Sequence, residues 1–433
     1  MSATVDARGC EVTGASGPAL EHFERSLAGF LAWTGEPREE ARRAREAAPA
    51  FVMGHLLEAH LHLCSRDPAD MRVARRALGR ARGLAQNARE RMHAAAIATA
   101  LGGDYARSRE LLAIILAQHP RDLLALAVSH TIDHYLGDTR ELHAQVAAVM
   151  PAWSAADSGY HGVLAMLAFG LEEAGEYGRA EDAALAALEL EPRDIRAHHA
   201  RAHVLEVQGR AAEGLRWMGE RSAYWTGAGA TTTHVWWHLA LYHLALGAAG
   251  HALELYDRRI AAAAAPSIAE LTDAAALLWR LELGGMETGP RWRLLAARWA
   301  PHAEDAFCAF NDLHAMLAFV GARRRDLMQR LLRAQHKRLA HGGTNQLMLR
   351  EVGLPACRAL QAFAEEDYAG AAAQLHGLPA VSHRLGGSQA QRGLIGLTLR
   401  AAETRARKIG VRPRFSGYRG QTPIFPLPAA RAT

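Results

Sequence analysis

Lysine is nearly missing from this 433-residue chain. Only Lys337 and Lys408 occur, so almost all of the 50 basic residues are arginine, in a sequence crowded with Ala, Gly and Leu. That skew points to coding bias rather than to a phosphate-binding surface. Aromatic residues are sparse at 6%, and the four cysteines, Cys10, Cys64, Cys308 and Cys357, show no CxxC spacing. A structural zinc knuckle and a disulfide framework are thereby excluded, and a reducing, cytoplasmic location is expected. Long apolar runs are lacking too. The longest alanine-rich one, from Ile260 to Pro266, is far short of the roughly 20 residues that span a bilayer, and the opening MSATVDARGCEVTG has no apolar core of the kind a signal peptide needs. No membrane partner is expected.

Also absent are the period-two alternation and β-branched enrichment that strands require. No HExxH or Gly-x-Ser-x-Gly word occurs. The crowding of small residues from Thr226 to Ala230 matches a phosphate loop in composition alone, since no strand precedes it and no Gly-Lys-Ser/Thr ending follows. It reads as a flexible connector.

The formal net charge is +5, but it is unevenly placed. From Arg405 onward there are seven cations and no acid, which takes +5 to −2 for residues 1–404. The high isoelectric point therefore describes a basic tail, residues 405–433, rich in Pro, Gly and Arg, and nucleic acid is not expected as a partner of the body.

What the chain does have is apolar residues at helical spacing almost throughout, at a mean hydropathy of −0.11. The expected fold class is all-α. Within it, the run from His161 to Pro192 carries Leu164, Ala168, Gly175, Tyr177, Ala180, Ala184, Ala187 and Pro192 at positions 4, 8, 15, 17, 20, 24, 27 and 32. That resembles the 34-residue tetratricopeptide repeat (TPR) at almost every signature position, a repeat in which small residues let two helices approach and glycine ends the first of them. The frame recurs with less fidelity from Arg89, Leu123, Ile195, Thr233 and Val352. Five to seven hairpins are expected in one continuous array over residues 18–404, stacked as a right-handed superhelix, with diverged or non-repeat helices at about 261–309. Residues 1–17 and 405–433 are expected to be disordered ends.

The stretches AFGLEEAGEYGRAE, HVLEVQGRAAEGLRWM, HVWWHLALYHLALG, DAAALLWRLELGG, FNDLHAMLAFVGA and REVGLPACRALQAFAEEDYAGAAAQL, with the later HRLGGSQAQR, resemble the tetratricopeptide repeat protein 38 family. That family includes the bacterial proteins called StaR-like. The likeness covers residues 50 to 400 or so. It implies a repeat superhelix and no particular reaction, and it implies a histidine and an aspartate where this chain has Gln389 and Gly393.

Chemistry-bearing residues are concentrated among the 23 histidines. Three pairs stand four apart, His130 with His134, His199 with His203, and His234 with His238, so that each pair lies on one helical face. In the repeat frame, His134, His199, His203 and His234 take positions that face the concave groove. His130 and His198 are expected between helices, and His238 is ambiguous. His314, Asn311 and Asp312 from FNDLHAM join the set, with Asp133 and Glu206 as further polar members. Of the adjacent Trp236 and Trp237, about 100° apart on a helix, one is expected in the core; Trp237 is counted with the groove.

The leading expectation is a binding scaffold whose histidine-lined groove holds a peptide or protein partner, with no cofactor. The alternative is a metal- or haem-dependent enzyme or small-molecule binder, with His203, His234 and His238 as metal ligands. The plainest alternative to both is that each imidazole bonds a neighbouring carbonyl or carboxylate.

Overall fold

The structure, a computed structural model, describes residues 4–227 and 230–410. The protein is all-α: among the described residues the only extended pairing is an isolated bridge between Val5 and Glu11. The connector read at 226–230 lies partly outside the described residues, as does the basic tail beyond 410.

In chain order the helices are α1 (Gly17–Ala32), α2 (Pro37–Ala47), α3 (Val52–Leu63), α4 (Pro68–Arg82), α5 (Ala88–Leu101), α6 (Tyr105–Gln118), α7 (Leu123–Leu136), α8 (Thr139–Val149), α9 (Tyr160–Glu173), α10 (Tyr177–Leu190), α11 (Ile195–Val207) and α12 (Ala211–Glu220). There follow α13 (Ser222–Trp225), α14 (Ala230–Ala245), α15 (Ala249–Leu255), α16 (Ile268–Leu283), α17 (Arg291–Trp299), α18 (Ala309–Gly321), α19 (Arg325–Arg338), α20 (Thr344–Met348), α21 (Leu354–Ala364), α22 (Tyr368–Leu375), α23 (Leu378–Val381) and α24 (Gln389–Lys408). They fall into two compact units, Met1–Val204 with Ser222–Thr226, and Leu205–Arg221 with Gly227–Thr433.

In unit 1 consecutive helices pack as hairpins, α1 with α2, α3 with α4, α5 with α6 and α9 with α10. The starts are set by side chains that accept from orphan backbone N–H groups: Asp67 caps α4, Asn87 and Glu90 close a capping box on α5, and Asp122 caps α7. Gly137 ends α7 at φ 67°, a left-handed conformation that costs glycine nothing. Close approach follows from small side chains. Ala168, Ala180, Ala184 and Ala187 are fully buried where α9 meets α10. At Gly170 of α9, a Cβ would stand 2.8 Å from the Leu142 carbonyl oxygen and 2.9 Å from the His143 Cα, so α8 passes against bare backbone.

The opening segment, expected to be disordered, is packed from residue 4. The Asp6 carboxylate accepts from the Arg8 and Cys10 backbone N–H groups, Arg8 forms ion pairs with Asp6 and Glu24, and the Thr13 N–H donates to Glu90. Cys10 and Val12 are buried as a result. Local composition could not report this order, because Glu24 and Glu90 lie far along the chain.

In unit 2 the capping box of Ser267 and Glu270 starts α16, a helix buried along most of its length, and that of Ser388 and Gln391 starts α24. These two helices lie within or beyond the region where the repeat spacing fades. They are tied together by Trp279 Nε1 donating to Thr398 Oγ1 (2.9 Å) and by Arg280 donating to the Ala390 carbonyl. Arg405, Arg407 and Lys408, assigned from sequence to a solvated tail, form the last turn of α24, where cations meet the negative end of the helix dipole. Arg405 lies over the rings of Phe363 and Tyr368.

Candidate functional site

In unit 1, the helical spacing of His199 and His203 brings their Nε2 atoms to 3.0 Å. Both are buried, at 5% and 2% exposure. Three groups fix the rings. Phe169 of α9 stacks on His199 at 5.6 Å and meets His203 edge-on at 5.3 Å. Glu172, one turn further along α9, places a carboxylate oxygen 3.8 Å from His203 Nδ1. Trp33, just past the end of α1, lies 4.9 Å from His199 and has the Arg196 guanidinium 5.0 Å over its ring, while Arg196 donates to the Leu31 carbonyl. Trp33 sits at φ 60°, a backbone conformation that costs a non-glycine residue about 1 kcal/mol or more.

His134 stands 5.5 Å from the same Phe169 ring. His130 donates to the Met166 carbonyl, and burial brings its pKa down to about 3, so it is a neutral packing group. His198 likewise bonds the Pro192 carbonyl. Asp133 is pushed up to about 8 by burial, against the pull of Arg109.

In unit 2, His234 and His238 of α14 are each backed by an acid. His234 Nδ1 lies 2.9 and 3.0 Å from the two Asp273 oxygens on α16, and His238 Nδ1 lies 2.8 Å from Glu206 Oε2, near the end of α11. The ring nitrogens of this pair are within 4.8 Å of each other, and the rings meet edge to face at 5.0 Å. Trp237, which has no exposed surface, stacks on His234 at 5.4 Å, and Arg280 lies 5.2 Å over the Trp237 ring. Trp236 is half-buried beneath Arg259. Burial pushes the Glu206 carboxyl up to about 8 and His238 well below its ordinary value, so at neutral pH their contact joins two uncharged groups. Arg280 is lowered by burial to about 10 and stays cationic, with Glu206 and Asp273 opposing the shift.

Asn311, Asp312 and His314 are all buried on α18, where they take a different set of partners. His314 Nδ1 donates to the Phe310 carbonyl of its own helix, and Asp312 Oδ2 accepts from Gln335 of α19, whose amide also reaches Cys357 of α21.

Sequence reading singled out neither Asp273, Arg280, Glu172 and Phe169 nor a second buried polar chain in unit 1. There Asp122 accepts from Arg89 and from His93 Nε2, and His93 Nδ1 in turn lies 3.1 Å from His60 Nε2. A usable signal existed. His60 to His93, Arg89 to Asp122 and His161 to Asp194 are each separated by 33 residues, about one repeat; Glu206 to His238 is 32 and His234 to Asp273 is 39. Asking which acid stands about one repeat from each histidine would have found Asp194 for His161 and Glu206 for His238, though not Asp273 for His234. A search of known protein-family models finds none that matches the chain.

Proposed function

We propose that the chain is a TPR-type binding protein, of the kind its sequence resembles, with hairpins stacked in a right-handed superhelix, and that its histidines hold a small ligand rather than a peptide. The repeat part of this reading is supported by helix bounds. The helices α5 and α6, α9 and α10, α11 and α12 begin where the 34-residue frames from Arg89, His161 and Ile195 put them, although α12 ends about a turn early.

The ligand part is carried by burial. A wall that grips a peptide presents its polar groups to solvent, whereas His203 is 2% exposed and His238 and Trp237 are fully covered. Carboxyl groups on the imidazoles and aromatic faces beside them fit a compact guest: an ion, or a small molecule with hydrogen-bonding edges. Haem fits less well, because Nε2 atoms 3.0 Å apart on one helix face cannot ligate opposite faces of a macrocycle.

Native mass spectrometry of the full purified chain tests this, compared with the same sample denatured. A small extra mass, lost in the His234→Ala, His238→Ala double variant, is expected. A bare polypeptide mass, together with histidine-dependent capture of peptides from a displayed library, would restore the peptide-groove reading in its place.

A further inference from the structure

Residues 4–13 lie against α1, α3 and α5 of unit 1. The segment first closes on itself: the Val12 N–H donates to the Thr4 carbonyl (2.8 Å), the Asp6 N–H donates to the Cys10 carbonyl (2.9 Å), and Val5 bridges Glu11. Its side chains then alternate. Asp6, Arg8, Cys10 and Val12 are buried, whereas Ala7, Gly9 and Glu11 are exposed. The helices receive the segment mainly through its backbone. The Glu11 carbonyl accepts from Arg89 at 2.7 Å and from Nδ2 of Asn87, the N-cap of α5, at 3.3 Å. The Thr13 N–H donates to Glu90 Oε1 at 2.8 Å, and the Thr13 carbonyl accepts from the Val52 N–H at 3.1 Å. One side chain adds a charged contact: the Arg8 guanidinium forks onto both oxygens of Glu24 on α1, at 2.6 and 2.9 Å.

This is how a groove reads a peptide. Main-chain hydrogen bonds supply affinity, and pockets for alternate side chains supply selectivity. The groups that do the reading also need an occupant. Arg89 and Glu90 are buried, and Arg89 has its other terminal nitrogen on Asp122. Removing the segment leaves a guanidinium nitrogen and a carboxylate oxygen without partners at once, which disfavours an empty site. The segment reaches α1 through residues 14–16 alone, turning at Gly14 in the left-handed region (φ 75°), so a short hinge is all that would have to move.

We propose that α1, α3 and α5 form a peptide-docking site that residues 4–13 occupy from within their own chain. Its external occupant is a partner's peptide with arginine, a small apolar residue and a β-branched residue at alternate positions, matching Arg8, Cys10 and Val12. Glu24 selects the arginine by charge, and the closely covered Cys10 and Val12 positions limit size. The site shares no residue with the histidine pairs of the small-ligand reading and does not depend on it.

The probe is a fluorescent synthetic peptide of residues 4–15 carrying Cys10→Ala. The full chain with Val12→Asp puts a charge at an apolar position of the segment and leaves every docking residue as it is. Its Cys10 is expected to react with a thiol reagent at least 10-fold faster than in the parent, read by mass mapping. Fluorescence anisotropy should show saturable one-to-one binding of the peptide to this opened chain. The parent should bind at least 10-fold more weakly, because its own segment competes at the roughly millimolar effective concentration of a short tether. Glu24→Gln or Arg89→Lys in the opened chain, or Arg8→Ala in the peptide, should each weaken binding by about 10-fold. A scrambled peptide should not bind. If Val12→Asp loses its helical circular dichroism, Arg8→Ala, which breaks the forks to Glu24 and Asp6, replaces it as the opened chain.

No binding to the opened chain, equal binding of the scrambled peptide, or affinity untouched by the docking variants overturns the proposal. So does Cys10 reactivity that neither opening variant raises, or equal affinity of parent and opened chain. A parent dimer that the peptide splits would assign the site to a second copy and overturn the choice of partner.

Discussion

Replacing Asp312 with Asn should stabilise the protein, by an amount that grows as pH rises from about 4 to about 7. Asp312 is 4% exposed on α18, its Oδ2 accepting from Gln335 Nε2 at 2.9 Å. Burial raises its pKa to about 7, the Gln335 hydrogen bond opposing and the charge of Asp305 adding to the rise. The folded value thus exceeds the unfolded one, near 3.9. Between these two values the folded chain holds a proton that the unfolded chain has released, so stability falls as pH rises from about 4 to about 7 and is flat above. Three pKa units at about 1.4 kcal/mol each set a ceiling of about 4 kcal/mol for the loss. Relaxation around the carboxylate brings the expected effect nearer 1 to 3 kcal/mol. Asn has the same outline, accepts from Gln335 and never ionises. Thermal unfolding of both chains at pH 5 and pH 8 reads the effect: the advantage of Asp312→Asn at pH 5 should be about a third of its advantage at pH 8. Infrared spectra at pH 5 should show more protonated-carboxyl absorption in the parent than in the variant, where Asp133 and Glu206, also raised by burial, still contribute. A difference in melting temperature that is equal at the two pH values would refute the reasoning, since it would mean that Asp312 keeps one protonation state throughout.

Three further outcomes follow from packing and charge. Gly170→Ala sets a methyl group 2.8 Å from the Leu142 carbonyl oxygen, against backbone that cannot swing aside, and should cost about 1 to 3 kcal/mol in thermal unfolding; a variant as stable as the parent would show that α8 and α9 are loosely joined. Asp122 is pushed up by burial but held below the ordinary carboxylate range by His93 and Arg89, so its stabilisation is present above pH 4 and lost as pH falls further. Asp122→Asn, which strands Arg89, should cost about 3 to 5 kcal/mol at pH 7 and flatten the acid limb of the stability profile, and an unchanged acid limb would contradict this. Ser267→Ala removes the capping box of α16 and should cost about 1 kcal/mol, with Ser267→Asp restoring it; equal losses from both would locate the effect elsewhere.

Helices were legible in the sequence because their signals are local. Gly137 and Gly175 mark chain reversals, and the four-residue spacing of His199 and His203 fixes their adjacency once a helix is granted. The acids were not legible in this way. Glu206 and Asp273 reach His238 and His234 from 32 and 39 residues away, a distance that helical periodicity along one segment does not span. The opening segment was misread for the same reason, since its order depends on Glu24 and Glu90 rather than on its own composition. The left-handed Trp33 beside His199 has no local cue either, as glycine is the usual occupant of such a position.

The 33-residue polar ties of unit 1 make its hairpins individual parts. In an array held by alanine contacts alone, one hairpin could be deleted or traded for its neighbour at modest cost. Here an excision of anything but a full period would slide Asp122 away from Arg89 and His93, and even a full-period exchange would seat a buried charge opposite a residue that cannot answer it. The ties thus act as a key for assembly order, permitting each hairpin one neighbour on each side.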